Sequence, residues 1–500
     1  MKPDSDRRAT AIQRLLSTKP SAFWERLRER RTLELFHRAA EGVPAYRDFL
    51  RRHQINHAKI KSWADFQQVP IINKKNYLRH YPLPALCWGG TLKRPLVFTA
   101  TSGSTGEPVY FPRGEALDWQ YSIIVETFLR QSRSGGPVLV IVGFGMGVWI
   151  GGLITYRAFE IAAARLGYPL SIITPGINKE EIFNAFRRLA PHYRQTILIG
   201  YPPFIKDIID EAPERGIKLK QLNLRLWFAA EAFSETFRDY LAQRGGVQSC
   251  YRGTINIYGS ADIGAMAYES NVSIMVKRLA RRRPRLFTSL FSAINKTPTL
   301  AQYHPLFINF EAPGGEIVLT GDNALPLVRY AIGDHGGVFS FAEMEERLAG
   351  AGVRLSAELR AAGFSRASIA ALPFVYVYER SDFSATIYGL QVYPETIREV
   401  LADKSWAPYF TGKLTMRTEF DSRQNQFLEI NVERRKNRVA PPALRRKLIA
   451  AILQNLQRKN SEFRELVKYV QGRPLVQLAV WPAEHPQYFR PGVKQRWVEK

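Results

Sequence analysis

The 500-residue sequence is poor in cysteine, with Cys87 and Cys250 its only two. Two thiols cannot form a framework of several disulfides, and they cannot supply the four thiolates of a structural zinc site. The N-terminus lacks an apolar run of signal-peptide length before charged residues return. We therefore predict a protein of the reducing cytoplasm.

Long uncharged runs are also scarce. One run, at residues 135–156, has the length needed to span a membrane. Pro137 and the glycines from position 143 onward divide it into a buried strand, VLVIV, a flexible loop and a helix. We predict no transmembrane segment, and at most weak contact with a membrane surface.

Acidic residues are too few to balance the basic ones, and the formal net charge is +26. A chain of this charge attracts polyanions, phosphorylated ligands or acidic membranes. The basic residues form local clusters, such as KRLARRRPR at residues 277–285, which are more often solvated surfaces than binding sites. Because aromatic residues do not alternate with these clusters and no nucleic-acid motif is present, we expect no nucleic-acid partner.

The spacing of apolar residues predicts an α/β protein. The first 90 residues have helical spacing, and short apolar runs such as RPLVFTA, QTILIG and LRLWFAA then alternate with helical stretches. This alternation is typical of parallel sheets covered by helices. We predict a large multi-layered N-terminal domain with mostly parallel sheets, residues 1–372, and a small, mobile α+β C-terminal domain, residues 373–500.

A loop rich in glycine and hydroxyl residues follows the run RPLVFTA. Backbone amides and hydroxyls in such a loop can hold phosphate oxygens, and glycine lets the backbone approach closely. It is not a Walker loop, because no Gly-Lys-Ser/Thr follows, and taken alone it is as often a simple turn. We predict a phosphate-binding role for six residues: Thr101, Ser102, Gly103, Ser104, Thr105 and Gly106.

The segment TSGSTGEP, residues 101–108, resembles the phosphate-binding loop of the acyl-adenylate-forming superfamily, which includes acyl- and aryl-CoA ligases. Further along, Tyr258, Gly259, Ser260 and Asp262 resemble the family's aromatic-Gly-x-Thr-Glu motif. The resemblance implies that the aromatic ring packs against adenine and that Asp262 is a catalytic residue that helps to hold magnesium. Ala261 replaces the family's threonine, and the alternative for Asp262 is a solvated acid at a strand end.

The segment LPLVRYAIGD places Asp334 where the family's Tyr-Arg-x-Gly-Asp motif has an aspartate. The resemblance implies that Asp334 binds both ribose hydroxyls of ATP, a role suited to a carboxylate because it only accepts hydrogen bonds. Ala331 stands where arginine is frequent in the family. The structural alternative for Asp334 is a turn cap.

Two further segments resemble motifs of the family's small domain. In ERSDF, residues 379–383, the resemblance to the Gly-Arg-x-Asp hinge implies that Arg380 contacts ribose or phosphate and that Asp382 is the hinge. The tail FRPGVKQRWVEK resembles a C-terminal Gly-Lys-x-x-Arg segment, although its register departs by one residue. This resemblance implies that Lys494 is the catalytic lysine that meets the charge developing at the α-phosphate.

Most of the chain resembles the phenylacetate-CoA ligase branch of this superfamily. The segment FGMGVWIGG looks like its glycine-rich loop on the substrate side, and LRLWFAAEAF looks like part of its acyl pocket. The resemblance implies an acyl pocket that includes Gly145, Gly147, Tyr201 and Glu231. Aromatic-rich segments could enclose an aryl or a fatty group equally well, so the acid itself is left open.

The resemblance implies ATP-dependent activation of a carboxylic acid to an acyl-adenylate, followed by transfer to a thiol. Coenzyme A is the expected acceptor, and ATP, Mg²⁺ and coenzyme A are the expected cofactors. One alternative is an adenylating enzyme that transfers its acyl group to a carrier protein, an amine or a sugar. The other is a basic scaffold that has lost catalysis and binds polyanions or membrane through KRLARRRPR.

Overall fold

The structure, a computed structural model, describes most of the chain. The described residues are 3–100, 109–131, 135–146, 150–230, 232–291, 297–378, 385–387, 390–421, 426–459, 463–464, 467, 474–490 and 497–498. The α-helices within them are α1 (Pro3–Thr18), α2 (Ser21–Gly42), α3 (Pro44–Arg52), α4 (Trp63–Phe66), α5 (Glu115–Arg130), α6 (Gly151–Leu166), α7 (Lys179–Arg188), α8 (Pro202–Glu211), α9 (Glu235–Gly245), α10 (Cys250–Gly253), α11 (Asn271–Arg282), α12 (Pro284–Leu290), α13 (Phe341–Gly350), α14 (Leu355–Ala361), α15 (Pro394–Leu401) and α16 (Pro442–Lys459).

The strands belong to one large sheet and three small ones. They are β1 (Val97–Ala100), β2 (Tyr110–Arg113), β3 (Val138–Val142), β4 (Leu170–Ile173), β5 (Gln195–Gly200), β6 (Leu224–Ala229), β7 (Thr254–Ser260), β8 (Gly264–Tyr268), β9 (Thr299–Tyr303), β10 (Ile308–Glu311), β11 (Glu316–Gly321), β12 (Leu327–Phe339), β13 (Phe374–Tyr378), β14 (Ala385–Ile387), β15 (Leu390–Val392), β16 (Phe410–Phe420), β17 (Gln426–Arg434) and β18 (Val476–Trp481).

The large sheet is mixed. Within the described residues it has eleven strands in the order β10-β11-β12-β13-β9-β8-β7-β6-β5-β3-β4. The strands from β4 to β7 pair in parallel, and those from β7 to β10 pair antiparallel. The predicted α/β fold is confirmed, with parallel pairing confined to one half of this sheet.

Strand β3 illustrates why helices cover both faces of the parallel half. Its five residues are all buried, as the run VLVIV predicts. Val138, Val140 and Val142 pack into the cluster that includes residues of α5 and α6, whereas Leu139 and Ile141 pack into the cluster that includes residues of α7, α8 and α9. Each such side chain contributes about 1.5–3 kcal/mol when fully buried. The predicted strand and helix at residues 135–156 are β3 and α6, and over the described residues no helix is long and apolar enough to cross a membrane.

A smaller sheet lies in the C-terminal part of the chain. Strand β17 pairs antiparallel with β16 and parallel with β18, and residues of α15 and α16 pack against these strands in a core of their own. Strand β13 pairs with β12 and β9, so residues up to Tyr378 still belong to the large sheet. The domain boundary between residues 372 and 373 stays a prediction. The strand pairing shows that the chain leaves the large sheet after β13.

A group of charged residues joins α8 to the smaller sheet, and we call it the interface cluster: Lys206, Asp207, Asp210, Lys413 and Arg435. Lys413 Nζ lies 2.8 Å from Asp207 Oδ2, and Arg435 Nη2 lies 2.9 Å from Asp210 Oδ2. Lys206 donates to Asp210 Oδ2 at 2.6 Å and to the Thr411 carbonyl at 2.7 Å. Burial raises the pKa of Asp207, but the ammonium groups of Lys413 and Lys179 outweigh it and hold that pKa below its usual value.

The basic segment at residues 277–285 is partly internal. Lys277 is only 2% exposed, and its Nζ lies 2.6 Å from Glu269 Oε1 and 3.2 Å from Glu235 Oε1. Arg278 Nε lies 3.1 Å from Glu235 Oε2. The first two cations of the segment therefore neutralise buried acids in the packing of α11 against α9, and the solvated surface begins at Arg281.

Candidate functional site

Tyr258 and Asp334, both predicted nucleotide-binding residues, meet in the structure. Tyr258 lies near the carboxyl end of β7, and Asp334 lies in the long strand β12. The Tyr258 hydroxyl donates to Asp334 Oδ2 at 2.6 Å, a contact between residues 76 positions apart. Both side chains are partly exposed, and the Tyr258 ring centroid lies 6.1 Å from that of Phe310. Two motifs that are distant in the chain thus form one surface.

Asp262 occupies the tight turn between β7 and β8. Its backbone N–H donates to Ser260 Oγ at 3.2 Å, and Gly259 is required because an added Cβ would lie 2.7 Å from the Gly264 carbonyl oxygen. Asp262 is 2% exposed. The alternative interpretation of Asp262 as a solvated acid at the end of a strand is therefore wrong. The Tyr330 hydroxyl donates to Asp262 Oδ2 at 2.7 Å, and Lys74 Nζ lies 3.4 Å from the same oxygen.

The donor set around Asp262 limits the kind of metal site that can form there. Within the described ranges, no three His, Cys, Asp or Glu side chains are grouped closely enough to hold a metal ion. Magnesium, however, is commonly held by one or two carboxylates together with substrate phosphates. Asp262 is a single carboxylate of the type that such a site uses, and its role in holding magnesium stays a prediction.

Lys74 lies beside Asp262 and belongs to none of the sequence motifs. It begins the short helical turn Lys74–Leu78, which Asn73 caps by accepting hydrogen bonds from the backbone of Lys75 and Asn76. Just before it, Ile72 forms a parallel bridge with Tyr330 in β12. This bridge places the lysine beside Asp262. No local motif in the sequence pointed to it.

Arg329, next to the predicted ribose motif, has a structural role. It is 5% exposed, and its Nη2 lies 3.0 Å from Glu311 Oε1. Its Nη1 donates to the carbonyls of Gln67 and Val69. The guanidinium therefore ties the N-terminal segment to the large sheet.

The predicted acyl-side residues Gly145 and Tyr201 lie on neighbouring loops at the carboxyl ends of β3 and β5. The Tyr201 ring lies edge-on to Phe144, with centroids 4.9 Å apart. A Cβ added at Gly152 would lie 2.8 Å from the Gly145 carbonyl oxygen, so the start of α6 packs tightly against this loop. Phe144 belongs to a core cluster of buried residues. Six partly buried apolar side chains pack against this cluster: Trp119, Met146, Tyr201, Ala229, Ala265 and Phe307.

Several predicted site residues lie outside the described residues: Thr101, Ser102, Gly103, Ser104, Thr105, Gly106, Gly147, Glu231, Arg380, Asp382 and Lys494. Their roles stay predictions. The structure does describe both strands that flank the predicted phosphate loop, and β1 and β2 pair antiparallel with Ala100 opposite Tyr110.

No family model matches the sequence. The chain is similar to a phenylacetate-coenzyme A ligase of Aromatoleum evansii, with 23% identity over 301 residues that cover 59% of this chain and 62% of that protein. It is also similar to a phenylacetate-coenzyme A ligase of Escherichia coli (strain K12), with 22% identity over 229 residues, 45% of this chain and 48% of that protein. The chain thus matches less than two thirds of the length of each of these relatives.

Solved structures share the fold over almost the whole chain. A 2-hydroxyisobutyryl-CoA ligase in the postadenylation state has a TM-score of 0.62 at 16% identity, covering 96% of this chain and 90% of that one. An acyl acid amido synthetase in complex with 2,4-DB has a TM-score of 0.59 at 12% identity, covering 100% and 95%. The chain therefore has the fold of the acyl-adenylate-forming ligases, and its sequence is similar to those of phenylacetate-coenzyme A ligases.

Proposed function

We propose that the protein uses ATP to convert a carboxylic acid to an acyl-adenylate and then transfers the acyl group to the thiol of coenzyme A. The observation that carries this proposal is the hydrogen bond between Tyr258 and Asp334. It joins the two motifs expected to hold adenine and ribose, and Asp262 lies in the turn that follows Tyr258. A single nucleotide could therefore contact all three residues.

The residues of the site suit the parts of ATP. The partly exposed Tyr258 ring offers a face for adenine to stack on, and the Asp334 carboxylate can accept from the ribose hydroxyls as well as from Tyr258. Residues 101–106 would hold the phosphates. Asp262 would hold magnesium, which, when bound, neutralises part of the phosphate charge, and Lys74 adds a protein cation beside the same carboxylate.

The proposed reaction needs no covalent bond to the protein. A carboxylate oxygen of the acid attacks the α-phosphorus of ATP, the bond to the β-phosphate breaks, and pyrophosphate leaves. The sulfur of coenzyme A then attacks the acyl carbon, AMP leaves with the electrons of the broken bond, and the thiol proton is released. Positioning and charge neutralisation supply the rate acceleration, and in this proposal Lys494 and Arg380 add positive charge near the phosphates.

The same 2-hydroxyisobutyryl-CoA ligase has a TM-score of 0.62 in its postadenylation state and 0.51 in its thioesterification state with coenzyme A, at equal identity and coverage. Asp382 remains the proposed hinge, near the start of the small domain that is proposed to begin at residue 373.

For the acyl acceptor there is a second candidate besides coenzyme A. An acyl acid amido synthetase shares the fold with a TM-score of 0.59, so transfer to an amine is the second candidate. Coenzyme A is preferred because the sequence relatives named above are coenzyme A ligases. None of those relatives points to a carrier protein.

The burial of Lys277 and the ion pairs of Arg278 weigh against a polyanion-binding scaffold, because these two cations already neutralise Glu235 and Glu269. The test is exchange of labelled pyrophosphate into ATP across a panel of aryl, short-chain and fatty carboxylic acids. We expect exchange with at least one acid, and then thioester formation with coenzyme A in preference to amide formation with amines. Failure of every acid to support exchange would contradict the proposed function.

A further inference from the structure

The chain from Arg434 to Lys459 carries charge of one sign only. Its sequence, RRKNRVAPPALRRKLIAAILQNLQRK, contains nine lysine and arginine residues and no aspartate or glutamate. It comprises the last residue of β17, the turn that follows this strand, and α16. A basic run of this kind is often only a solvated surface. Its role therefore depends on how many of its cations already have acidic partners.

Three of these cations hold the base of the turn after β17. Arg435 Nη2 lies 2.9 Å from Asp210 Oδ2, and Lys436 Nζ lies 3.3 Å from Glu484 Oε2. Arg434 Nη1 donates to a backbone carbonyl within the turn at 2.7 Å. The turn therefore has a fixed connection to the rest of the molecule, and these three side chains contribute to structure.

Four further cations lie beyond this base and are exposed: Arg438, Arg445, Arg446 and Lys447. Among the residues that the structure describes, the ion pairs of this segment involve other cations, and none of these four forms one. Arg445 Nε donates to the Ala440 carbonyl at 3.0 Å, which joins the start of α16 to the turn. Four positive charges are thus concentrated near the N-terminus of α16 with no described acid to neutralise them.

Val439 stands among these cations in the sequence and is 75% exposed, more than any other large apolar side chain that the structure describes. The backbone around it is held in place, since Asn437 has a φ of +59° and Ala440 is 3% exposed. One exposed valine is ordinary on a protein surface. Here, however, the valine is the apolar tip of a turn that has unpaired cations before and after it.

The composition of this segment favours a lipid surface over other anionic partners. Residues 434–459 contain no aromatic side chain, whereas proteins that hold single-stranded nucleic acid stack its bases on aromatic rings. Stable protein interfaces are likewise centred on large anchors, often tryptophan or tyrosine, that fill pockets. An anionic membrane requires neither feature, because it attracts clustered lysine and arginine and accepts a small apolar group at the level of its headgroups. The helix dipole also disfavours cations near the N-terminus of α16, and negative charge on a partner relieves this.

We propose that five residues, which we call the basic tip, bind the surface of an anionic membrane: Arg438, Val439, Arg445, Arg446 and Lys447. The cations lie against the phosphates of the lipid headgroups, and Val439 enters the boundary between headgroups and acyl chains. Binding is reversible, because four charges and one valine hold a protein far less tightly than a membrane-spanning helix does. The inference does not rest on the proposed function, so membrane binding and ATP chemistry can fail separately.

The test is sedimentation of the full chain with vesicles of phosphatidylcholine alone and of phosphatidylcholine mixed with phosphatidylglycerol. We expect binding to the mixed vesicles only, and weaker binding as the salt concentration rises. The double substitution Arg446→Gln with Lys447→Gln should weaken this binding about 25-fold, because each cation near an anionic surface contributes about fivefold. Val439→Ser should weaken it several-fold without a change in charge. Because every substituted side chain is exposed, the variants should keep the fold.

The matched control is Arg282→Gln with Arg283→Gln, at the exposed end of α11. It removes the same charge from two adjacent arginines that have no exposed large apolar neighbour in the sequence, and it should bind the mixed vesicles as the wild type does.

Equal losses in the two double variants would assign the binding to net charge and overturn the inference. The same holds if the wild type binds neither kind of vesicle, or both equally, or if Val439→Ser binds as the wild type does. Tighter binding to duplex DNA than to the mixed vesicles, lost in the Arg446 and Lys447 variant, would assign the surface to nucleic acid and contradict the inference.

Discussion

Asp334 accepts a hydrogen bond from Tyr258 and, in the proposed function, also holds the ribose of ATP. We expect Asp334→Ala to weaken ATP binding about tenfold to a hundredfold, because hydrogen bonds to a charged group are lost. Tyr258→Phe keeps the ring and should have a smaller effect. The measurement is calorimetric titration with ATP, and Asp403→Ala, an exposed aspartate of the smaller unit, is the control. Equal affinities in the Asp334 and Asp403 variants would refute the assignment.

We expect His304 to make the stability of the protein depend on pH. Burial lowers the pKa of His304 to about 3, and its ring packs edge-on to Trp24 with centroids 5.4 Å apart. Between that value and the ordinary histidine pKa near 6.5, the unfolded chain binds a proton that the folded chain does not. Stability should therefore fall as the pH decreases from about 6.5 toward 3.

The urea midpoint measured near neutral pH and again at mildly acidic pH tests this expectation. His304→Phe should lose less stability over that interval than the wild type, since phenylalanine cannot take up the proton. An equal loss in both proteins would assign the acid sensitivity to other groups.

At the residue scale, the motifs predicted Tyr258, Asp262 and Asp334, because each motif fixes its residue types within a few positions. Lys74 was missed because its contact with Asp262 depends on the bridge between Ile72 and Tyr330. That bridge joins segments far apart in the sequence, and no local spacing encodes it.

Helices α9 and α11 are joined by buried charges, and their stability should depend on complete pairing. Lys277→Met would leave Glu235 and Glu269 buried without the lysine that contacts both. Removing one member of a buried ion pair typically costs about 3–5 kcal/mol. We expect a loss of that size in the free energy of unfolding, measured by chemical denaturation.

Arg282→Met, at the exposed end of the same helix, is the control and should change stability by about 0.5 kcal/mol or less. Similar effects of the two substitutions would show that the ion pairs of Lys277 contribute no more to the free energy of unfolding than the exposed charge of Arg282 does.

The elements of the parallel half of the large sheet could be predicted, because a strand buried on both faces leaves an uninterrupted apolar run such as VLVIV. The antiparallel half was harder to predict. The pairing of β12 with β11 has two irregularities in register. Strand β12 also pairs with β13, although two helices, α13 and α14, lie between these strands in the sequence. Pairings of this kind depend on packing across the whole sheet rather than on periodicity within a segment.

The interface cluster joins the smaller sheet to α8 in the arrangement that the structure describes. Lys413→Met would leave Asp207 and Glu433 buried without their shared lysine, whose Nζ lies 2.8 and 3.3 Å from them. We expect the smaller sheet to lose its fixed position relative to α8 because this replacement removes an attraction across the interface. Small-angle X-ray scattering should then report a larger radius of gyration.

Lys436→Met is the control for this experiment, because Lys436 is 68% exposed and its ion pair with Glu484 does not involve α8. A scattering profile of the Lys413 variant that coincides with those of the wild type and this control would exclude a positioning role for the interface cluster.

The attachment of the N-terminal segment to β12 through Ile72 and Arg329 has a practical consequence for anyone who shortens the protein. A truncation starting at residue 81 would retain every motif named above. It would nevertheless remove Lys74 from its place beside Asp262 and open the apolar face of the sheet that α2 and α3 cover. Inactivity of such a fragment would report a missing scaffold, and should not be taken as a sign that the chemistry is absent.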